Sequence, residues 1–251
     1  MIYNKTYICG YETQDFQVLL ARLKKSFKEL KWGVLALEIL ILIFGITMSL
    51  QVNKWQNQRD DRQLEQEYLE RLIVDFAESE DVLQKDIEQL RSSVDKLLVG
   101  IKPLSKSTLT KEDHLLLLEA VGQSALIGSF AVVFGTLDEL KDTGNMRLLI
   151  SKNLRISLAN LYQTYQQIIR LSELRNILRG QSFPVLVKQL KPNSDSQVIW
   201  DEELAEQNKR EIFAALTVIL QNLKNDLSDT QRLAELVINI NGIIQQELEK
   251  G

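Results

Sequence analysis

The sequence is poor in the residues that most often build covalent cross-links or metal sites. Its 251 residues include one cysteine, one histidine and three prolines. A lone cysteine, Cys9, excludes an internal disulfide and a cysteine-ligated zinc site, so we expect an idle or buried thiol. His114 has no second histidine for a metal site and no catalytic set around it, so we expect it at the surface or half-buried. These shortages predict no enzyme, no cofactor and no metal.

Helix-breaking residues and one-sided charge are also scarce. With only 3 prolines and 11 glycines, and with Leu, Gln, Glu, Lys and Ile as the commonest residues, the composition favours helix throughout. We expect an all-α protein without strands. The formal net charge is -4, and no basic face occurs beyond residue 31, so the sequence predicts no nucleic-acid partner.

What the sequence does contain is one long apolar run, from Trp32 to Val52. About 20 residues at about 1.5 Å each match the roughly 30 Å hydrocarbon core of a bilayer. Trp32 at one end and Trp55 just past the other are typical interfacial anchors. The run starts late and has no small-residue cleavage pattern before Asn53, so we interpret 32–52 as a permanent signal anchor.

Basic residues are concentrated before this run. Residues 1–31 hold six Lys and Arg against three acidic residues. The positive-inside rule therefore places 1–31 in the cytoplasm and 53–251 on the far side of the membrane. Apolar residues from Phe16 onward recur at helical spacing, which predicts a basic amphipathic helix that either binds anionic lipid or only sets the topology. The candidate lipid-binding residues are Lys24, Lys25, Lys28 and Lys31.

One ionisable residue, Glu38, lies inside the apolar run. At about 100° per residue, Glu38, Gly45 and Ser49 fall on one face together with Lys31, and Gly45 and Ser49 form a small-xxx-small pair. A second helix on this face would shield Glu38 from lipid, which predicts a homo-oligomer or a membrane-protein partner. The alternatives are that Glu38 turns toward the nearby interface, or that it serves a proton or ion role.

The apolar pattern continues past the membrane run without a break. From Leu64 to Ile101 apolar residues step by three or four, so the membrane helix is predicted to continue as one rod of about 100 Å, ended by Pro103. The carboxylates on its other faces, Glu65 and Asp75 among them, are interpreted as solvated surface.

Two short helices are predicted next. Thr110 with Asp113 gives a partial capping signal for the first, through Val121. Thr136 with Glu139 predicts a capping box for the second, which ends at Asp142 with Gly144 as its left-handed stop. Between them, 122–135 reads as an irregular connection.

Two further long helices complete the expected bundle. The first is predicted from Leu154 to about Leu178, stopped by Gly180 and Pro184. The second begins near Asp201, after a linker at 191–196, and is weakest at 225–229. Packing against the rod predicts an antiparallel three- or four-helix bundle with the short helices at the end far from the membrane. The apolar row predicted for the first of these helices is Leu154, Leu158, Leu161, Tyr165, Ile168, Leu171 and Leu178.

Two stretches carry a family resemblance. The run LEILILIFGITMSLQVNKWQNQRDDRQLEQEYLERLIVDF, residues 37–76, resembles the signature of an uncharacterised family of single-span bacterial membrane proteins, known as a domain of unknown function. GTLDELKDTGNMRLLISKNLRISLANLYQTY, residues 135–165, is similar to a second stretch of that family. The resemblance implies a helical protein anchored in the bacterial inner membrane, and it supplies no activity or catalytic residues.

Two functions follow as hypotheses. In the first, the protein is a structural or interaction component of a membrane complex, joined through its bundle and the Glu38 face. In the second, the bundle is a sensor that holds a small ligand and signals through a partner, with Tyr162 and Tyr165 either lining a cleft or packing in the core. About 31 cytoplasmic residues leave no room for an output domain, which favours the first hypothesis.

Overall fold

The computed structural model describes residues 32–192 and 198–250. The all-α prediction is confirmed, with 84% helix and 2% strand. The elements in chain order are α1 Trp32–Ile101, a 3-10 turn Lys102–Ser105, α2 Lys111–Gln123, α3 Gly135–Asp142, a 3-10 turn Asn145–Arg147, α4 Lys152–Val187, β1 Leu190–Pro192, β2 Val198–Trp200, α5 Glu202–Gln207 and α6 Lys209–Leu248.

The chain divides into two compact units, Met1–Asp60 and Asp61–Gly251. Within the first, the structure describes the apolar part of α1; the predicted basic helix with Lys24, Lys25, Lys28 and Lys31 lies outside the described residues. One helix of the described chain is long and apolar enough to cross a membrane. As predicted, α1 runs unbroken to Ile101 and ends at the turn that contains Pro103.

The second unit is built on three long helices, α1 from Asp61 onward, α4 and α6. Its core has two parts. The Phe76 cluster includes Leu72, Phe76, Leu158 and Val237, and the Leu216 cluster includes Leu97, Leu117, Leu186 and Leu216. Along α1 the chain passes from the first cluster to the second, and α4 does the same between Leu154 and Leu186. Along α6 the order is reversed. Helices α1 and α4 are therefore parallel, and α6 is antiparallel to both.

Because α1 and α4 are parallel, residues 102–151 must return along the bundle. Helix α2 packs in the Leu216 cluster, and α3 packs in the Phe76 cluster. The prediction that both short helices lie at one end of the bundle is therefore wrong. Side chains of α1 hold the returning segment: Ser79 Oγ accepts from Val133 N (2.8 Å) and Asp75 Oδ2 accepts from Thr136 N (2.8 Å).

The two predicted caps have different outcomes. At α2 the capping box is complete, because Thr110 Oγ1 accepts from Asp113 N (3.2 Å) and Asp113 Oδ2 accepts from Thr110 N (2.9 Å). At α3 the predicted box is wrong. That helix begins at Gly135, one residue before Thr136, and the Glu139 carboxylate instead accepts from Tyr68 Oη (3.1 Å) and binds Arg71 on α1. Gly144 takes the predicted left-handed conformation, with φ 73°.

Helix α4 runs past its predicted stops. It includes both Gly180 and Pro184 and ends at Val187. Pro184 has no N–H to donate to the carbonyl of Gly180, yet buried Leu186 beyond it packs in the Leu216 cluster and keeps the last turn in place.

The expectation of no strands is also wrong. After α4, β1 pairs with β2 in an antiparallel hairpin in which Leu190 is opposite Trp200. The predicted linker 191–196 begins in β1, and 193–197 lie outside the described residues. Helix α6 continues unbroken through its predicted weak point at 225–229.

Candidate functional site

The apolar part of α1 forms the first candidate site. Its large apolar residues from Leu37 to Val52 are each more than half exposed in the chain, and so is Trp55. Glu38, Gly45 and Ser49 all lie on this helix at exposed positions, and a Cβ on Gly45 would meet no atom within 4 Å. Trp32 is its first residue. The helical conformation that places Glu38, Gly45 and Ser49 on one face is therefore present.

A group of four charged side chains between α4 and α6, three of them buried and Asp229 half-buried, forms the second candidate site. We call it the Arg–Asp cluster: Arg175, Arg179, Asp226 and Asp229. Arg175 Nε donates to Asp226 Oδ1 (2.6 Å), and Arg179 donates through a terminal nitrogen to Asp226 Oδ2 (2.9 Å). A terminal nitrogen of Arg175 also donates to Asp229 Oδ2 (2.8 Å). Each Asp226 oxygen thus accepts from a different arginine.

Backbone groups complete the surroundings of this cluster. A terminal nitrogen of Arg179 donates to the carbonyl of Leu126 (3.0 Å), and Asn222 Nδ2 donates to the carbonyl of Arg175 (3.3 Å). The Phe130 ring lies 6.0 Å from the Arg175 guanidinium carbon. Leu227, one residue after Asp226, packs against both hydrophobic clusters. The Arg–Asp cluster is therefore a polar layer where the two halves of the core meet.

Sequence reasoning missed this cluster because it followed apolar residues along α4. The predicted row placed Leu171 and Leu178 in the core, but both are exposed. The buried row beyond Ile168 instead contains Ser172, Arg175 and Arg179. The sequence did contain a signal for this cluster. Arg175 and Arg179, four residues apart, continue the helical row of Leu161 and Ile168, and Asp226 and Asp229 lie in the predicted weak point of α6. Opposite charges that interrupt two apolar rows indicate a buried pair.

A shallow cleft lies beside the cluster. Its volume is about 240 Å³, which is below the usual size of a ligand pocket. The Nε of Arg179 is buried without a hydrogen-bond partner among the described residues. The cleft is lined by Ser124, Ala125, Ile127, Asn176, Arg179, Gly180 and Phe183.

The other residues considered for chemistry lie in the core of the second unit. Tyr162 and Tyr165 contact the Phe134 ring edge-on at centroid distances of 5.6 and 4.8 Å, so they pack with the core and do not line this cleft. His114 is buried and not at the surface. Across 32–192 and 198–250 no group of three or more His, Cys, Asp or Glu side chains is arranged to hold a metal ion.

Two carboxylates interpreted as solvated surface have structural roles instead. Glu65 is buried, and its Oε1 accepts from Ile150 N (2.6 Å) just before α4 begins. Asp75 is half-buried and holds the start of α3 through Thr136. Together they join α1 to the returning segment.

The fold and these sites define a class: an all-α protein with one helix apolar enough to cross a membrane, and a three-helix core that contains a buried charged layer. In comparisons with family models, curated proteins and solved structures, the chain matches none.

Proposed function

We propose that this protein is a single-pass membrane anchor whose helical bundle is a structural or interaction component of a membrane complex. The observation that carries the proposal is the exposed apolar run of α1 from Leu37 to Val52. Soluble monomers rarely expose apolar patches larger than about 300–600 Å². A run of this length exceeds that range, and a bilayer of about 30 Å matches it.

The distribution of charge supports the orientation within this proposal. The excess of basic residues before Trp32 favours a cytoplasmic N-terminus, with 53–251 outside the inner membrane of a bacterium. The family resemblance of 37–76 and 135–165 points to the same arrangement. The lipid bilayer is then the first partner, and Trp32 and Trp55 lie at its two surfaces.

The buried charges support interaction over catalysis. Both oxygens of Asp226 already accept from arginines, and Arg175 and Arg179 are held by Asp226, Asp229 and a backbone carbonyl. Groups that are buried and already paired with one another in this way favour a structural role for the cluster. On the membrane helix, Glu38 with Gly45 and Ser49 offers a face where a second helix can pack closely.

Membrane fractionation tests the anchor. The full chain with a tag after Gly251 is expected in the membrane pellet, to remain there after alkaline carbonate, and to expose its tag on the extracytoplasmic side. The matched variant Ile41→Arg with Phe44→Arg places two charges at the centre of the run, each costing about 2.5–3.5 kcal/mol there, and is expected to leave the pellet. A wild-type chain that stays dispersed without detergent would refute the proposal.

A sensor is the second candidate, and the cleft beside Arg179 favours it. At about 240 Å³ the cleft could hold only a small molecule, and α4 would pass a shift to α6 through the Arg–Asp cluster. A metabolite that raises the melting temperature of the full chain, and fails to do so after Phe183→Ala, would support this function.

A further inference from the structure

Arg179 is a buried side chain with one nitrogen that remains unpaired. The residue is 5% exposed. One terminal nitrogen donates to the carbonyl of Leu126 (3.0 Å) and to Asn176 Oδ1 (3.4 Å), and the other donates to Asp226 Oδ2 (2.9 Å). The Nε–H is shielded from solvent and has no acceptor among the described residues. Because a buried donor without an acceptor is unfavourable, this nitrogen can gain from an acceptor that comes from outside the chain.

The side chain that carries this nitrogen also lines the cleft of about 240 Å³. One wall of the cleft is a single side of α4, because its residues there occupy positions i, i+3, i+4 and i+7. These residues are Asn176, Arg179, Gly180 and Phe183. The other wall is the segment 124–127 that follows α2. Of the described residues that line the cleft, Arg179 alone carries a charge, so its ligand would meet one cation and otherwise neutral groups.

The positive charge of Arg179 is already balanced inside the protein. In the Arg–Asp cluster two arginines are paired with two aspartates, so the cluster has no net charge. An anion in the cleft would add a negative charge without a free counter-charge, and a cation would lie against a guanidinium group. An uncharged acceptor has neither cost. The cleft therefore favours a neutral ligand that accepts one hydrogen bond.

We propose that this cleft binds a small uncharged molecule with an apolar ring and one carbonyl group, whose oxygen accepts from Arg179 Nε. The inference rests on the sensor function proposed above, whose ligand it names. The ring would contact Phe183 and Ile127, the two largest apolar residues of the lining. Because Nε is buried, the carbonyl reaches it only when a lining side chain turns aside. Asn176 is suited to this movement, since its 3.4 Å bond to Arg179 is long for a hydrogen bond.

Three probes of nearly equal shape test the chemistry of the ligand. Benzamide is uncharged and has a carbonyl acceptor, benzoate is an anion, and benzamidine is a cation without an acceptor. Binding to the full chain in detergent micelles at pH 7 is measured by NMR titration of the protein. Benzamide is expected to bind with a Kd of about 1 mM or tighter, and at least about 10-fold more tightly than either charged probe.

A pair of glycine substitutions tests the place of binding. Gly180→Leu puts a side chain into the cleft without disturbing the core, since a Cβ on Gly180 would meet no atom within 4 Å. This variant is expected to weaken benzamide binding at least about 10-fold. The control is Gly242→Leu on α6, where a Cβ also meets no atom within 4 Å, and it is expected to bind as wild type does. Thermal melting of both variants checks that the fold is kept.

The NMR signal of Arg179 Nε–H provides a readout at the proposed contact. Benzamide is expected to shift this signal in wild type and in Gly242→Leu, and not in Gly180→Leu. The signal is identified by its loss in Arg179→Lys, which keeps the positive charge opposite Asp226 and lacks the Nε–H group.

Four outcomes would overturn the inference. They are no binding of benzamide, equal binding of the three probes, tightest binding of benzoate, and benzamide binding that Gly180→Leu leaves unchanged. The sensor function fails differently, because it requires that no metabolite of any charge raises the melting temperature of the full chain. The membrane anchor is tested in the pellet and is affected by none of these results.

Discussion

At the scale of single residues, Asp226 is the centre of the buried charged layer. Its carboxylate has 2% exposure and accepts from both Arg175 and Arg179. Removing charges from water costs several kcal/mol per ion, so a buried pair is stable only while every partner is present. The layer therefore adds little net stability, yet the loss of one of its buried members, Arg175, Arg179 or Asp226, is severe.

The first prediction follows from that asymmetry. Asp226→Asn leaves two buried guanidinium groups without their shared counter-charge and is expected to lower the free energy of unfolding by about 3–5 kcal/mol. Replacing the group by apolar residues, with Arg175→Met, Arg179→Leu and Asp226→Leu together, is expected to be neutral or stabilising. Denaturant unfolding of the full chain in detergent measures both.

Asp229 is the matched control for this comparison. Its side chain is 21% exposed and contacts one arginine, so Asp229→Asn is expected to cost less than about 1 kcal/mol. If Asp226→Asn proved as mild as Asp229→Asn, the layer would not depend on charge.

The second prediction concerns acid stability at the cap of α2. Lys106 Nζ donates to Asp113 Oδ1 (2.7 Å), and this bond, with the Thr110 backbone N–H, lowers the Asp113 pKa to about 2. Because the pKa is lower in the folded state, the Asp113 carboxylate stabilises the fold above the unfolded-state pKa near 4. This stabilisation is lost as the pH falls toward about 2. Wild type is therefore expected to melt above Asp113→Asn at pH 5, with the difference shrinking between about pH 4 and 2. A constant difference over that interval would contradict the assignment.

At the scale of elements, the sequence predicts helices well and their buried faces less well. The long helices and the cap at Thr110 follow from local spacing and side-chain chemistry, which act within a few residues. The exposure of Leu171 and the burial of Arg175 do not follow from local spacing, because they depend on Asp226, which is 51 residues after Arg175. Hydrophobicity alone places leucine inside, and only the partner helix shows that arginine takes that position.

The third prediction compares two helical glycines with opposite surroundings. A Cβ on Gly100 would lie too close to Ala120 Cβ and 2.8 Å from Leu116 O, where α1 packs on α2, whereas a Cβ on Gly180 would meet nothing within 4 Å. Gly100→Ala is expected to destabilise by about 1–3 kcal/mol through overpacking. Gly180→Ala is expected to stabilise by about 0.5–1 kcal/mol through helix propensity. Thermal melting measures the change in stability for each variant. If both substitutions stabilised the protein, the contact between α1 and α2 at Gly100 would not be close.

At the scale of the whole molecule, the path of the chain depends on contacts that no local pattern reveals. The return of 102–151 along the bundle is held by Glu65, Asp75 and Ser79, each of which accepts from a backbone N–H more than fifty residues later. A carboxylate on a helix surface has the same sequence pattern whether it faces water or caps another segment. The helical class could therefore be predicted, and the position of α3 could not.

The fourth prediction is that residues 61–251 fold without the rest of the chain. Both hydrophobic clusters begin at or after Tyr68, so a fragment that starts at Asp61 keeps every residue of the two clusters. It is expected to dissolve without detergent and to melt cooperatively within about 3 °C of the full chain, a difference that corresponds to about 1 kcal/mol at this size. A fragment that starts at Glu78 is the control, because it lacks the fully buried Leu72 and Phe76. Removing such side chains costs about 2–5 kcal/mol each, so this control is expected to lose its cooperative transition. If the longer fragment also failed to fold, the apolar part of α1 before Asp61 would be required for the bundle to fold.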